Sequence, residues 1–224
     1  DSSLTNQLCI VKSSGKASKH DSVIVRIFGE NTDQIIDRES ERRLNESLVK
    51  IGFECSAFLG YFGNGRIESF INGKACNPED FTHPLHGQAI ARSLAPLLGK
   101  LHSAVTPQIS LEQEHTISRG LEFLSLAEKI SFPVGHEKAK KLETINMTSL
   151  KATFHSIVGE VETVKSELGG QAVHTIATQN TIIHGDLLCG NILVDNTTPL
   201  AAVSEGSEGL KLWFIDMEYS GVGA

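Results

Sequence analysis

The feature that most constrains the fold is a change of residue pattern along the chain. Short apolar runs, β-branched at residues 8–11 and 23–28, predict strands in the first third and again in the last fifty residues. These runs are residues 8–11, 23–28, 57–62, 66–71, 181–183, 192–194 and 212–215. Between them, apolar residues recur at helical spacing. Strands followed by helices indicate an α+β fold with two lobes, which we divide into residues 1–72 and 73–224.

The turn and helix signals refine this division. Gly63-Asn64-Gly65 between two apolar runs predicts a hairpin. Asp37 is a suitable N-cap for a first helix, which Gly52 would end. Further helices are predicted at residues 90–101, 111–130 and 147–168. We expect Pro96 to kink or interrupt the first of these three.

Composition excludes several classes of protein. With 20 basic and 27 acidic residues the net charge is 20 − 27 = −7, which disfavours binding to nucleic acid or anionic membranes. The 40% hydrophobic fraction excludes a disordered chain, yet no apolar run approaches the roughly 18 residues of a membrane span. The four cysteines lack CxxC spacing, which predicts single thiols in a reducing, cytoplasmic compartment. Because the chain starts at Asp1 and stops without a closing element, we expect a C-terminally truncated fragment.

The sharpest chemical motif is His184-Gly185-Asp186-Leu187-Leu188-Cys189-Gly190-Asn191, which lies between two predicted strands. Its H-x-D-L-x-x-x-N spacing is typical of a phosphoryl-transfer loop. In such a loop Asp186 would orient the attacking hydroxyl and Asn191 would offer an oxygen to Mg²⁺. Asp216 ends an apolar strand 30 positions after Asp186 (216 − 186 = 30), where a second metal-binding carboxylate is required. The alternative is a strand–turn–strand segment with a capping Asp and a turn Asn.

A second candidate pair lies in the early strands. Arg26 stands where such a fold places a phosphate-binding cation, and Glu41 on the following helix can face it. The alternative is an arginine on an edge strand and a solvated helix of mixed charge.

Taken together, these residues resemble the choline/ethanolamine kinase family. The family's catalytic loop reads approximately His-Asn-Asp-Leu-Leu-Cys-Lys-Asn-Ile, and its later motif Ile-Asp-Tyr-Glu-Tyr-Ser-Gly resembles residues 215–221. Further similar segments are Thr5-Asn6-Gln7-Leu8, Val25-Arg26-Ile27-Phe28-Gly29, residues 36–41 and Gly65-Arg66-Ile67-Glu68-Ser69-Phe70-Ile71. The resemblance spans nearly the whole chain and is least distinctive at residues 104–175.

The resemblance implies a protein-kinase-like fold, with an ATP-binding N-terminal lobe and an incomplete helical catalytic lobe. It implies Mg²⁺- and ATP-dependent phosphorylation of ethanolamine, the first step of the CDP-ethanolamine route to phosphatidylethanolamine. Asp186 would be the catalytic base, Asn191 and Asp216 would hold Mg²⁺, and Glu218 and Tyr219 would lie near the amine, with Asp186 facing the hydroxyl. The residues implied for ATP are Thr5, Asn6, Arg26, Glu41, Glu68, Phe70 and Ile71.

One departure keeps alternatives open. Gly185 replaces the family's Asn, and His-Gly-Asp is the form found in aminoglycoside phosphotransferases, which share the fold. Choline kinase, an aminoglycoside-type phosphotransferase and a catalytically silent nucleotide-binding partner are therefore the competing interpretations. The oligomeric state and the preference between ethanolamine and choline are not predicted.

Overall fold

The computed structural model describes residues 6–13, 21–104, 115–167, 181–207 and 209–223. The chain forms two compact units. The first comprises residues 1–110 and 181–221, and the second comprises residues 111–180 and 222–224. The predicted lobe boundary at residues 72 and 73 stays a prediction.

The first unit contains a four-stranded antiparallel sheet in the order β1-β2-β4-β3. Its strands are β1 (Asn6–Lys12), β2 (Ser22–Phe28), β3 (Phe58–Phe62) and β4 (Gly65–Ser69). Gly63 and Asn64 join β3 to β4, so the predicted hairpin is confirmed. In the register of β2 and β4, Arg26 lies opposite Arg66.

Helix α1 (Arg38–Lys50) follows the first two strands, as predicted. The Asp37 side chain accepts a hydrogen bond from the Ser40 N–H and caps the helix. Gly52 adopts a φ of +69°, the left-handed conformation that suits a residue just past a helix end. Leu44 and Leu48 are buried, so the apolar face of α1 packs inward.

The rest of the first unit contains β5 (Gly73–Ala75), α2 (Pro78–Thr82), α3 (Pro84–His102), β6 (Thr181–Ile183), β7 (Ile192–Asp195) and β8 (Leu212–Phe214). Strand β9 (Gly221–Gly223) begins at Gly221, the last residue of the first unit. Strands β5, β7 and β8 form an antiparallel sheet in that order. The fully buried core residues Ile90, Leu101, Ile182 and Phe214 come from α3, β6 and β8.

The structure shows no interruption of α3 at Pro96, and the kink expected there stays a prediction. The helix continues through Pro96 to His102. A proline removes one helical hydrogen bond, whereas Leu97 and Leu101 on the following turn are both buried. Burial of this apolar face therefore outweighs the local cost of the proline.

The second unit contains α4 (His115–Ala127), α5 (Glu137–Glu143) and α6 (Met147–Glu167). The helix predicted at residues 147–168 agrees with α6 over the described residues, and the helix predicted at residues 111–130 agrees with α4 except that α4 ends at Ala127. None of the described side chains of these three helices is buried. Among the helices of the described ranges, none has both the length and the apolar character of a membrane span.

Candidate active site

The turn after β6 begins with a buried histidine that is fixed at both ring nitrogens. His184 is 3% exposed, and its Nδ1 accepts a hydrogen bond from the Asp186 N–H at 3.3 Å. Its Nε2 lies 2.9 Å from the Ile215 carbonyl oxygen, which can only accept. Burial lowers the pKa of His184, although the Ile215 hydrogen bond and the Asp186 charge oppose this effect. The ring is therefore neutral, with its proton on Nε2.

Gly185 allows the chain to turn sharply at this point. Its φ is +78°, and a Cβ built there would lie 2.1 Å from the Tyr219 carbonyl oxygen. The close approach of the Tyr219 backbone and the left-handed conformation both require glycine. This packing gives a local reason for the residue that departs from the family motif.

Asp186 and Asn191 are held together by the loop itself. The Asn191 Nδ2 donates to the Asp186 carbonyl oxygen at 2.8 Å and to its Oδ2 at 3.3 Å. A 3-10 turn at Cys189–Asn191 brings the two residues into this arrangement. Because the amide nitrogen is engaged, the Asn191 Oδ1 is the atom left for a cation; within the described residues it accepts no hydrogen bond.

Asp216 is brought to the same loop by the peptide of Ile215. The Ile215 N–H donates to the Asn191 carbonyl oxygen at 3.0 Å, and the Ile215 carbonyl accepts from His184. Asp216 then adopts a φ of +60°, a strained conformation for a residue other than glycine. The three residues that were predicted from spacing alone thus converge on one site.

The Asp216 carboxylate is only partly accessible and lies among other acids. Its side chain is 27% exposed, and its Oδ1 accepts a hydrogen bond from Arg26 Nη1 at 3.0 Å. Burial raises the pKa of Asp216, as do the charges of Glu218, Glu41 and Glu68, while Arg26 lowers it. A further positive charge at this carboxylate would therefore be favourable.

The predicted ion pair between Arg26 and Glu41 is wrong. Arg26 donates through Nε to Glu68 at 2.6 Å and through Nη1 to Asp216. Glu41 is bound instead by Arg66, which donates from Nη1 and Nη2 at 2.6 and 2.8 Å. Arg66 lies opposite Arg26 in the sheet, and its two parallel hydrogen bonds are the strongest geometry for this pair.

Arg66 is a residue that the sequence reasoning missed. It is 2% exposed, its Nε also binds Glu68 at 2.8 Å, and its guanidinium lies 3.8 Å from the centre of the Phe58 ring. The only sequence signal is its place directly after the hairpin turn, two positions before Glu68 on the same face of the strand. Arg26, Glu68, Arg66 and Glu41 therefore form a continuous buried chain of ion pairs.

The remaining predicted residues differ in their surroundings. Glu218 is buried, and its Oε2 accepts hydrogen bonds from Asn6 Nδ2 at 3.0 Å and Arg38 Nη1 at 3.1 Å. Burial and the charges of Glu218, Asp186 and Asp216 raise the pKa of the Tyr219 hydroxyl. Thr5 lies outside the described residues. The roles assigned to all of these residues stay predictions.

The segment predicted to face adenine follows β4. Glu68 is buried, and its carboxylate is held by Arg26, Arg66 and Ser56. Phe70 is 37% exposed and Ile71 is half-buried. The Glu68 side chain therefore belongs to the ion-pair chain, and its predicted nucleotide contact stays a prediction.

The charges of this region give it the character of a cation site. Three arginines (Arg26, Arg38 and Arg66) face four carboxylates (Glu41, Glu68, Asp216 and Glu218), so the balance is 3 − 4 = −1. Within the described ranges, no group of three or more His, Cys, Asp or Glu side chains could hold a metal ion. A metal here would therefore take the Asp216 carboxylate and the Asn191 amide oxygen and complete its shell with other oxygen ligands, as Mg²⁺ commonly does.

Comparison with known proteins agrees with this geometry. The family model described as Choline/ethanolamine kinase matches residues 1–223. A probable ethanolamine kinase from Arabidopsis thaliana is 32% identical over 216 residues, which cover 96% of this chain and 50% of the relative. Ethanolamine kinase 2 from Mus musculus is 26% identical over 222 residues, which cover 97% of this chain and 47% of the relative. The chain thus spans about half the length of these curated relatives.

A solved structure shares the fold. An ethanolamine kinase from Plasmodium vivax superposes with a TM-score of 0.67 at 24% identity, covering 97% of this chain and 55% of that one. This likeness confirms the predicted kinase-like α+β fold.

Proposed function

Because this chain belongs to the choline/ethanolamine kinase family, we propose that the natural protein transfers the γ-phosphoryl group of ATP to the hydroxyl group of ethanolamine. Its product would be phosphoethanolamine, the first intermediate of the CDP-ethanolamine route to phosphatidylethanolamine. The proposal of a cytoplasmic location rests on the spacing of the four cysteines in the sequence.

The observation that carries the proposal is the double anchoring of the Ile215 peptide. The Ile215 N–H donates to the Asn191 carbonyl oxygen, and the Ile215 carbonyl oxygen accepts from His184. The loop of Asp186 is therefore hydrogen-bonded on both sides of Ile215, the residue directly before Asp216. Phosphoryl transfer depends mainly on positioning and on neutralising phosphate charge, so a rigid link between base and metal ligand is what this chemistry requires.

Asp186 is the proposed base. Asn191 Nδ2 holds one carboxylate oxygen, and His184 fixes the Asp186 backbone N–H. The side chain is half-buried, so a substrate hydroxyl can approach it. In this role Asp186 orients the hydroxyl and accepts its proton as the oxygen attacks phosphorus.

Asp216 and Asn191 are the proposed ligands of Mg²⁺. The donor set fits the ion, because both residues offer oxygen and the excess negative charge of the region favours a cation. When bound, Mg²⁺ would neutralise charge on the transferring phosphoryl group. Arg26, already bound to Asp216, is the proposed phosphate-binding cation of the same site.

Glu218 and Tyr219 are proposed to lie near the substrate amine. An ammonium group is attracted by carboxylates and by aromatic ring faces, and the raised pKa of Tyr219 is consistent with its place among acids. Ethanolamine is favoured over choline by the names of the relatives reported above. The aminoglycoside alternative rests on Gly185, for which the Tyr219 contact gives an independent structural reason.

The test is Mg²⁺-dependent ADP release by the natural full-length protein with ethanolamine, choline, kanamycin or no acceptor. Asp186→Asn should lower kcat by about 10²–10⁴-fold, the usual contribution of a general base. The exposed Asp21 makes the same change of side chain available as a control, and Asp21→Asn should keep full activity. ADP release with kanamycin alone would refute ethanolamine as the substrate and favour an aminoglycoside phosphotransferase. Nucleotide binding without ADP release, whichever acceptor is added, would favour a catalytically silent nucleotide-binding partner.

A further inference from the structure

Arg38 connects several distant segments of the first unit. It is the first residue of α1, and its guanidinium is bound through both terminal nitrogens. Nη1 donates to Glu41 Oε2 and to Glu218 Oε2, both at 3.1 Å. Nη2 donates to Asn6 Oδ1 at 3.1 Å and to Thr32 Oγ1 at 3.4 Å.

The guanidinium plane is also fixed from one side. Its central carbon lies 4.1 Å from the centre of the Phe28 ring, within the range of a cation–π contact. The side chain is 18% exposed. The Nε is buried and has no hydrogen-bond partner in the described part of the chain, so the four hydrogen bonds named above all come from the two terminal nitrogens. A lysine could supply the charge but not this planar set of contacts.

The most distant partner of Arg38 lies beside the proposed metal ligand. Glu218 follows Asp216 by two residues, in the 3-10 turn Met217–Tyr219 that starts at the strained Asp216 backbone. Asn6 also donates to Glu218, so Arg38, Asn6 and Glu218 form a closed triangle of hydrogen bonds. This triangle ties the beginning of β1 and the beginning of α1 to the turn that orients Asp216.

We infer that Arg38 is a positioning residue for the proposed phosphoryl transfer, acting through Glu218 on the turn that carries Asp216. The inference rests on the proposed function for its catalytic readout. Its physical basis is that a strained turn persists only when its surroundings over-determine it, and Glu218 is the buried anchor of that turn. Loosening the anchor lets Asp216 leave the geometry that a metal ion requires.

The experiment compares Arg38→Lys and Arg38→Ala with Arg42→Ala in the natural full-length protein. Arg42 is the matched control, because it lies on the same helix and, among the residues that the structure describes, forms ion pairs only with the exposed Glu39 and Glu46. Calorimetry measures ADP affinity as a function of Mg²⁺ concentration, and thermal unfolding checks the fold. Steady-state kinetics measures kcat/KM for ATP over the same Mg²⁺ range.

For Arg38→Lys we expect a folded protein whose Mg²⁺-dependent ADP affinity and kcat/KM fall by about 10–100-fold, the usual effect of losing an outer partner of a metal site. The Mg²⁺ concentration for half-saturation should rise, whereas Arg42→Ala should match the wild type. Glu218→Gln should reproduce the effect, and the double variant should lose little more than the worse single variant.

Two results would overturn the inference. One is wild-type Mg²⁺ dependence in Arg38→Lys, and the other is strictly additive losses for Arg38→Lys and Glu218→Gln. If Arg38→Ala does not fold, the Lys and Gln variants decide the question. A wild-type protein that binds Mg²⁺ and ADP but phosphorylates no acceptor would refute the proposed function, while the binding measurements would still decide the role of Arg38.

Discussion

Asp216 carries a charge that its surroundings disfavour. Burial and three neighbouring carboxylates raise its pKa above the usual 3.8, against the effect of Arg26. Between the usual and the raised pKa the folded protein binds more protons than the unfolded chain. The free energy of unfolding therefore falls as the pH rises through this window, and at pH 7 the ionised Asp216 still destabilises the metal-free fold.

Asp216→Asn should therefore raise the melting temperature at pH 7 without Mg²⁺, because the amide oxygen can still accept from Arg26. The same change should lower kcat/KM by about 100-fold or more, since metal charge stabilisation is worth several kcal/mol. Asp195→Asn is the control and should lower the melting temperature. Hydrogen bonds from Thr197 lower the pKa of Asp195 to about 2, so its ionised form stabilises the fold. Thermal unfolding of both variants with and without Mg²⁺ checks the prediction, and a lower melting temperature for metal-free Asp216→Asn would contradict it.

Gly185 and Gly190 allow a matched test of backbone strain within one loop. A Cβ at Gly185 would meet the Tyr219 carbonyl oxygen at 2.1 Å on a backbone with positive φ, whereas a Cβ at Gly190 would meet nothing within 4 Å. Gly185→Ala should cost about 1–3 kcal/mol of unfolding free energy, and Gly190→Ala should stay within about 0.5 kcal/mol of the wild type. Urea denaturation measures both, and equal losses would show that the Tyr219 contact is not what requires glycine.

At the scale of elements, α3 contains a proline that its packing tolerates. Pro96 is exposed in the helix interior, whereas Pro84 occupies the first turn, where a missing N–H costs nothing. Because proline is about 3 kcal/mol less favourable than alanine inside a helix, Pro96→Ala should stabilise the protein by about 1 kcal/mol or more. Pro84→Ala is the control and should change stability by less than about 0.5 kcal/mol. If denaturation shows that Pro96→Ala destabilises the protein, the packing around α3 requires the proline.

Elements with a strong local signal could be predicted from the sequence. Strand β6 (Thr181–Ile183), the hairpin of β3 and β4, and the Asp37-capped α1 each follow from residues within a few positions of one another. The elements that were missed are β5, α2, α5 and β9. They have only 3, 5, 7 and 3 residues, too few for an apolar period to emerge, and unlike β6 the short strands β5 (Gly-Lys-Ala) and β9 (Gly-Val-Gly) contain no run of β-branched residues.

The candidate site likewise has a part that the sequence predicts and a part that it does not. Asp186 and Asn191 lie in one loop, so their spacing predicts their proximity. The partners of Arg38 and Arg66 could not be read from spacing, because Glu218 lies 180 positions from Arg38 and Glu41 lies 25 positions from Arg66. Which arginine reaches Glu41 depends on the register of β2 and β4, and local residue pattern does not specify that register.

At the scale of the whole molecule, apolar burial is distributed unevenly between the two units. The first unit has Ile90 and Leu101 at 0% exposure. In the second, Leu150, Ile157 and Val164 lie seven residues apart along α6 and are 48, 53 and 49% exposed. A helix derives most of its stability from packing an apolar face, so α6 should open more readily than α3 in the 224-residue chain.

Hydrogen exchange of the 224-residue chain should therefore show two levels of protection. Amides of α3 and β8 should exchange about 100-fold or more slowly than those of α4 and α6, because opening free energies follow buried apolar contacts. Leu101→Ala should cost about 2–5 kcal/mol, as for other buried leucines, whereas Ile157→Ala removes a half-exposed side chain and should cost much less. Equal protection of α3 and α6 from hydrogen exchange would mean that the apolar residues Leu150, Ile157 and Val164 of α6 are covered in solution. The loss of unfolding free energy on Ile157→Ala would then approach that on Leu101→Ala.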